Sequence, residues 1–191
     1  GTSVAVSSDG TFIVGGAPNA SYVKETNNPE KDARFIEAKI DSPASNRLNQ
    51  GIIKISKLNT TNGEYEPEYV LTSQVPTANE LFGQQVLVSN ERIIVSAPGA
   101  DSKKGKLYVY DRQVQSDGST VDWDIPNDQK EIILPNAVAG DQFGQSMAGS
   151  KDLEYIVVGI PGREESADLD STLNSGAVAI YRWNGQQYEL L

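Results

Sequence analysis

One module is written three times along the chain, and a repeat of this kind restricts the fold more tightly than composition does. The second copy runs from Phe82 to Asp111 as FGQQVLVSNERIIVSAPGADSKKGKLYVYD. The third reads FGQSMAGSKDLEYIVVGIPG from Phe143 to Gly162 and closes with GAVAIYRW from Gly176 to Trp183. The first reads GTSVAVSSDGTFIVGGAPN from Gly1 to Asn19 and closes with GIIKISKL from Gly51 to Leu58. Gly1, Gly83 and Gly144 coincide, which spaces the copies by 82 and 61 residues and places the length differences in loops.

Each copy carries the same physical pattern. Val4 and Val6, or Val86 and Val88, alternate at period two as a half-buried strand does, and a polar turn follows at Ser8-Asp9-Gly10 or Asn90-Glu91-Arg92. Next comes a dense apolar run, Phe12-Ile13-Val14, Ile93-Ile94-Val95 or Tyr155-Ile156-Val157-Val158, which suits a strand covered on both faces. Gly15-Gly16-Ala17-Pro18, Ser96-Ala97-Pro98 and Gly159-Ile160-Pro161 end it, with small residues for close packing and a proline that withholds a ladder donor. After a variable loop, Gly51, Gly105 or Gly176 introduces a third alternating strand. A fourth, more charged strand is expected over Tyr65 to Ser73, Glu131 to Leu134 and Gln186 to Leu191, since charge protects a sheet edge. Asn184-Gly185 predicts a type I′ hairpin between the last two strands.

The expected fold class is therefore all-β: a β-propeller of four-stranded antiparallel blades, of which three are present. Blade 1 spans 1–73 with a long insertion at 19–50, blade 2 spans 82–135, and blade 3 spans 143–191 with an outer strand that the chain end cuts short. Within the insertion, Asn28-Pro29-Glu30 ahead of KDARFIEAKI predicts a short helix. A propeller needs about four to eight blades to close, so the chain is expected to be an internal piece of a longer polypeptide or an arc completed by another subunit.

These residues resemble FG-GAP repeats, the blades of the integrin alpha-subunit propeller and of many surface proteins. Phe82-Gly83 with Ser96-Ala97-Pro98 and Phe143-Gly144 with Gly159-Ile160-Pro161 supply both namesake parts, and the first copy keeps Gly16-Ala17-Pro18. The family's calcium loop, of the pattern DxDxDG, is absent from Ser8-Asp9-Gly10, Asn90-Glu91-Arg92 and the Ser150 to Glu154 turn, so no metal of that type and no cofactor is expected. In integrins the loops between second and third strands contribute to the ligand-binding face. The resemblance thus implies ligand-binding roles for Tyr22, Arg34 and Phe35 in the insertion and for Asp101 and Arg163 in the equivalent loops. The alternative is a decorated loop that contacts a neighbouring blade or subunit.

Composition excludes several chemistries. The chain has 191 residues with no histidine and no cysteine, which removes His-based acid/base catalysis, Ser-His-Asp and Cys-His nucleophiles, zinc fingers and disulfides. Sixteen basic against 26 acidic residues give a net charge of −10, so nucleic acid is not an expected partner, and no apolar run is long enough for membrane insertion. Asn19-Ala20-Ser21 and Asn59-Thr60-Thr61 are glycosylation sequons of the kind expected by chance in so Asn-, Ser- and Thr-rich a chain. Ser7-Ser8-Asp9-Gly10-Thr11-Phe12 is one residue short of a sialidase Asp-box and reads as a β-turn. Glu164, Glu165, Asp168, Asp170 and Asn174 form an acidic loop that either is simply solvated or gathers a weak divalent cation; a glycosidase pair there lacks any positioning signal. Trp123 and Trp183 invite a carbohydrate-stacking reading, but Trp183 ends a third strand and fits blade-edge packing, while Tyr108, Tyr110 and Tyr181 fit blade interiors.

The expected function is that of a non-catalytic extracellular or cell-surface module for protein or glycan recognition, adhesion or assembly. Its partners would be the remaining blades or neighbouring subunits and an extracellular protein or glycan. The alternative is an accessory propeller of a larger secreted or surface hydrolase.

Overall fold

The computed structural model describes residues 1–21, 48–73, 75–114, 120–123, 130–164 and 175–191, and these form an almost wholly β structure of three antiparallel sheets. Among them no helix is long and apolar enough to cross a membrane. The first sheet is ordered β1 (Ser3–Val6), β2 (Phe12–Ala17), β3 (Ile52–Leu58) and β4 (Tyr65–Leu71). The second runs β5 (Val86–Val88), β6 (Arg92–Ala97) and β7 (Lys106–Val114), and its outer place is shared by β8 (Thr120–Trp123) and β9 (Lys130–Ile132), both paired to β7. The third is β10 (Met147–Gly149), β11 (Tyr155–Ile160), β12 (Ala177–Trp183) and β13 (Tyr188–Leu190). The helix expected after Asn28 lies outside the described residues.

Two local expectations change. Arg92 is not a turn residue; it opens β6, is buried, and pairs in register with Asp111 of β7. The turn at Asn184 is not a two-residue type I′ hairpin, which needs positive φ at both central residues. Trp183 and Tyr188 are the last cross-strand pair, and only Gly185 has positive φ, at 100°. The Asn184 side-chain oxygen accepts from the backbone N–H groups of Gln186 and Gln187, each at 2.9 Å, so a four-residue Asx-type turn replaces the tighter one.

Burial along the second strands shows how the sheets stack. Every residue of β6 is buried, so this dense run is covered on both faces. In β2 and β11 alternate residues are covered, and the covered sets are opposite: Phe12 and Val14 in the first sheet, Ile156, Val158 and Ile160 in the third. The second sheet thus lies between the other two. One core joins Phe12, Val14, Ile53 and Ile55 to Phe82, Ile93, Val95 and Tyr110. The other joins Ile94, Leu107 and Val109 to Phe143, Ile156, Val158 and Tyr181. The innermost strands also come together, with β5 against β1 and β2 on one side and β10 on the other.

A repeated backbone clasp fixes the spacing of the sheets. The Leu81 and Phe82 N–H groups donate to the Asn49 and Gln50 carbonyls at 3.1 Å each, and those of Gln142 and Phe143 donate to Lys103 and Lys104 at 2.8 and 3.1 Å. The glycine that follows each acceptor pair lies so close to the phenylalanine peptide that no side chain fits. A Cβ on Gly51 would stand 2.0 Å from the Phe82 carbonyl oxygen, and one on Gly105 would stand 2.1 Å from that of Phe143. The FG motif therefore couples one module to the preceding one through its peptide groups, and its ring fills the core between them.

Candidate functional site

The loops that vary between modules leave from one rim, and all three close in the same way. Gly51 N–H donates to the Ala20 carbonyl at 2.9 Å, Gly105 to Ala100 at 3.1 Å, and Gly176 to Arg163 at 3.1 Å. Of the sequence-derived candidates, Tyr22, Arg34 and Phe35 lie outside the described residues, as do Glu165, Asp168, Asp170 and Asn174. Asp101 sits in a one-turn element over Ala100–Lys103, where Asp101, Ser102 and Lys103 all have left-handed backbone with φ of 49°, 60° and 65°. Each such non-glycine residue costs about 1–2 kcal/mol, so three in a row are held by their surroundings. Asp101 pairs with Lys106 Nζ at 3.1 Å, and Lys106 also reaches Glu131 at 3.3 Å. Burial opposes the charged form of Lys106, but the hydrogen bond to Asp101 and its two acidic neighbours outweigh it and leave its pKa above the ordinary lysine value.

Arg163 turns back toward its own module. Its guanidinium donates to the Asp141 carboxylate at 2.9 Å and to the Asn136 carbonyl at 3.0 Å. Asp141 is fully buried, and its second contact is the Val138 N–H at 2.9 Å. Glu80 occupies the same place one module earlier, two residues before the FG pair: it accepts from the Thr77 N–H at 2.9 Å and from the Tyr108 hydroxyl at 2.9 Å. These buried acids were missed in the sequence, although Glu80-Leu81-Phe82-Gly83 and Asp141-Gln142-Phe143-Gly144 show an acid at matching positions. Burial, and then the Glu80 carboxylate beside it, raise the Tyr108 pKa well above the ordinary tyrosine value. Glu80→Ala leaves a buried hydroxyl without its acceptor and destabilises the chain by about 2–3 kcal/mol. In a urea denaturation cycle Glu80→Ala/Tyr108→Phe costs less than the sum of the two single changes; strict additivity would refute the pairing.

At the opposite end the acids serve their own turns. Asp9 accepts from Ser7 Oγ at 2.7 Å and from the Thr11 N–H at 2.9 Å, and the Thr11 hydrogen bond is the largest effect holding its pKa below the ordinary aspartate value. Asp152 repeats the arrangement with Ser150 Oγ at 2.6 Å and the Glu154 N–H at 3.0 Å, which likewise lower its pKa. The Ser8 and Asp9 turn also bonds to Asn90 of the next module. Among the described residues no cluster of three or more acids is placed to hold a metal ion.

The two tryptophans occupy contrasting places. Trp123 is buried at 1 % exposure edge-on to Phe12, centroids 5.1 Å apart, and belongs to the core between the first two sheets. Trp183 lies at the outer end of the junction between the second and third sheets, packed on Tyr188 at 5.2 Å, with the Arg92 guanidinium 3.6 Å from its ring centroid. Arg92 in turn donates to Asp111 at 2.8 Å, and Lys130 pairs with the other Asp111 oxygen at 2.8 Å. Beside this network a cleft of about 430 Å³ opens between β9 and β13, bordered by Ile133, Tyr181, Trp183, Gln186, Gln187 and Tyr188. No family model matches the chain, and no curated protein proves similar to it.

Proposed function

We propose that the chain is an arc of a β-propeller made of FG-GAP-type blades, and that it acts outside the cell as a non-catalytic module for recognition or for building an external assembly. The observation that carries this reading is the uncovered face of the third sheet. Val157, Val178 and Ile180 are 38 %, 69 % and 42 % exposed, whereas their counterparts Ile94, Leu107 and Val109 in the second sheet are 0 %, 0 % and 3 % exposed beneath the third. An aliphatic surface of that kind is the seat that the second sheet offers to Phe143, and it suits the phenylalanine of a following blade. On the far side of the first sheet Val4 and Val6 are similarly open, at 77 % and 59 %.

The charged groups at both ends of the described sheets favour a scaffold over a reaction centre. Arg163 is engaged by Asp141, Lys106 by Asp101 and Glu131, and Arg92 and Lys130 by Asp111. The test uses the full-length polypeptide in its own cells. An antibody against the chain stains intact cells as strongly as permeabilised ones, and the thiol introduced by Val178→Cys is slow to react in the protein as its cells make it but fast in the 191 residues expressed alone. Staining that needs permeabilisation overturns the location; equal thiol reactivity overturns the ring.

A further inference from the structure

The two sheet junctions share the backbone clasp and differ at their outer end. Tyr110 and Tyr181 occupy equivalent registers, opposite Ile93 and Ile156, and each ring lies near its module's FG phenylalanine, with centroids 6.3 and 6.0 Å apart. At the first junction the Tyr110 hydroxyl crosses to the preceding sheet and donates to the Thr72 carbonyl at 3.0 Å. At the second junction the matching tyrosine makes no such bond. Tyr181 is 2 % exposed, and among the described residues its hydroxyl has no hydrogen-bond partner. A buried hydroxyl in that state costs about 1–3 kcal/mol, and Tyr181 borders the cleft between β9 and β13.

We infer that this cleft is a binding site for a neutral saccharide, with the Tyr181 hydroxyl as the hydrogen-bond donor at its floor. This rests on the recognition reading and assigns it a ligand class. Several features select that class. A tyrosine hydroxyl is a protonated donor at neutral pH, and burial pushes the Tyr181 pKa further up, to about 12. Tyr188 and the part of Trp183 left open by the Arg92 guanidinium, which covers one face of that ring, supply apolar surface for the C–H face of a sugar ring. The exposed Gln186 and Gln187 bring amides, which both donate and accept and so match hydroxyl groups. The two charged residues of the lining are neutralised within the protein, Lys130 by Asp111 at 2.8 Å and Glu131 by Lys106 at 3.3 Å. Among the described lining residues no unpaired cation remains to attract a carboxylate or phosphate, and the net charge of −10 opposes one. At about 430 Å³ the cleft lies toward the small end of ligand sites, which suits about one or two pyranose rings.

The experiment is a titration of the full-length polypeptide with glucose, galactose, mannose, N-acetylglucosamine and their disaccharides, with glucuronic acid as the anionic control. Binding is followed by saturation-transfer NMR and by tryptophan emission. At least one neutral sugar binds and alters the emission, glucuronic acid does not, Tyr181→Phe weakens binding at least tenfold with the melting temperature preserved, and the surface variant Gln187→Ala weakens it severalfold. The inference is overturned if no neutral sugar binds, if glucuronic acid binds more tightly, or if both variants bind like the parent. Its failure is separable from that of the recognition reading. Absent sugar binding, with intact cell staining and a shielded thiol in the Val178→Cys variant, removes the cleft alone, whereas a sugar that is bound and then cleaved retains the site and removes the non-catalytic reading.

Discussion

Gly105→Ala abolishes folding of this chain under conditions in which Gly185→Ala is tolerated. Both glycines have positive φ, 86° and 100°, so both substitutions carry the left-handed penalty of about 1–2 kcal/mol. They differ in what the new methyl meets. At Gly185 no atom lies within 4 Å of a Cβ, whereas at Gly105 the Cβ would stand 2.1 Å from the Phe143 oxygen and 2.6 Å from its nitrogen. Those atoms belong to a backbone segment bonded to Lys103 and Lys104, so relief requires the FG segment to withdraw and take the Phe143 ring with it. The loss exceeds about 4 kcal/mol, against a total stability of about 5–15 kcal/mol for a domain. Urea denaturation of both variants in the longest soluble form of the polypeptide measures this. Similar losses in both would show that the close approach at Gly105 is not a constraint.

Phe143→Ala and Phe82→Ala each cost about 3–5 kcal/mol, as expected for deleting a fully buried ring, but they loosen different parts of the molecule. Phe82 packs on Tyr108 and Tyr110 in the core between the first and second sheets. Phe143 packs on Tyr181 in the core between the second and third. Stacked repeats meet their nearest neighbours only, so damage at one junction need not spread to the next. Hydrogen exchange in Phe143→Ala shows faster exchange in β11 and β12 while β2 and β3 keep their protection, and Phe82→Ala gives the reverse. A uniform loss across all three sheets in both variants would mean that the junctions do not open separately.

Much of the strand plan was legible because each strand repeats in register and carries its own periodicity. Val86 and Val88 alternate, Ile93-Ile94-Val95 is dense, and the structure buries them accordingly. The same dense pattern in β2 and β11 is covered on one face, because coverage depends on a neighbouring sheet and not on the strand's own residues. Thr120–Trp123 was not foreseen as a strand: Val121 and Trp123 alternate with polar residues, but the segment has no counterpart in the other two modules, and it is held by pairing with the far end of β7. Nor does Asp-Ser-Lys announce a left-handed turn, since that conformation is imposed by the clasp on its flanks. On the site side, Asp101 lies between β6 and β7 and Arg163 between β11 and β12, and both are engaged in ion pairs that the sequence does not announce. The cleft was out of reach for a different reason. It is marked by the absence of one tyrosine contact that the preceding junction has, and only a comparison of two assembled junctions can reveal that.

The identical closing bond beneath the three rim loops separates two problems that evolution otherwise has to solve together. From Ala20 to Gly51 the chain travels 31 residues, from Ala100 to Gly105 only five, and the bond between the ends is the same within 0.2 Å. Chain entropy for a roughly sixfold longer excursion amounts to less than about 2 kcal/mol, a sum that the modules can absorb. New sequence can therefore be inserted, lengthened or exchanged at this rim while selection on the sheets goes on undisturbed. The glycine after each loop acts as a standard socket: a lineage can alter what the molecule touches without renegotiating how it stands.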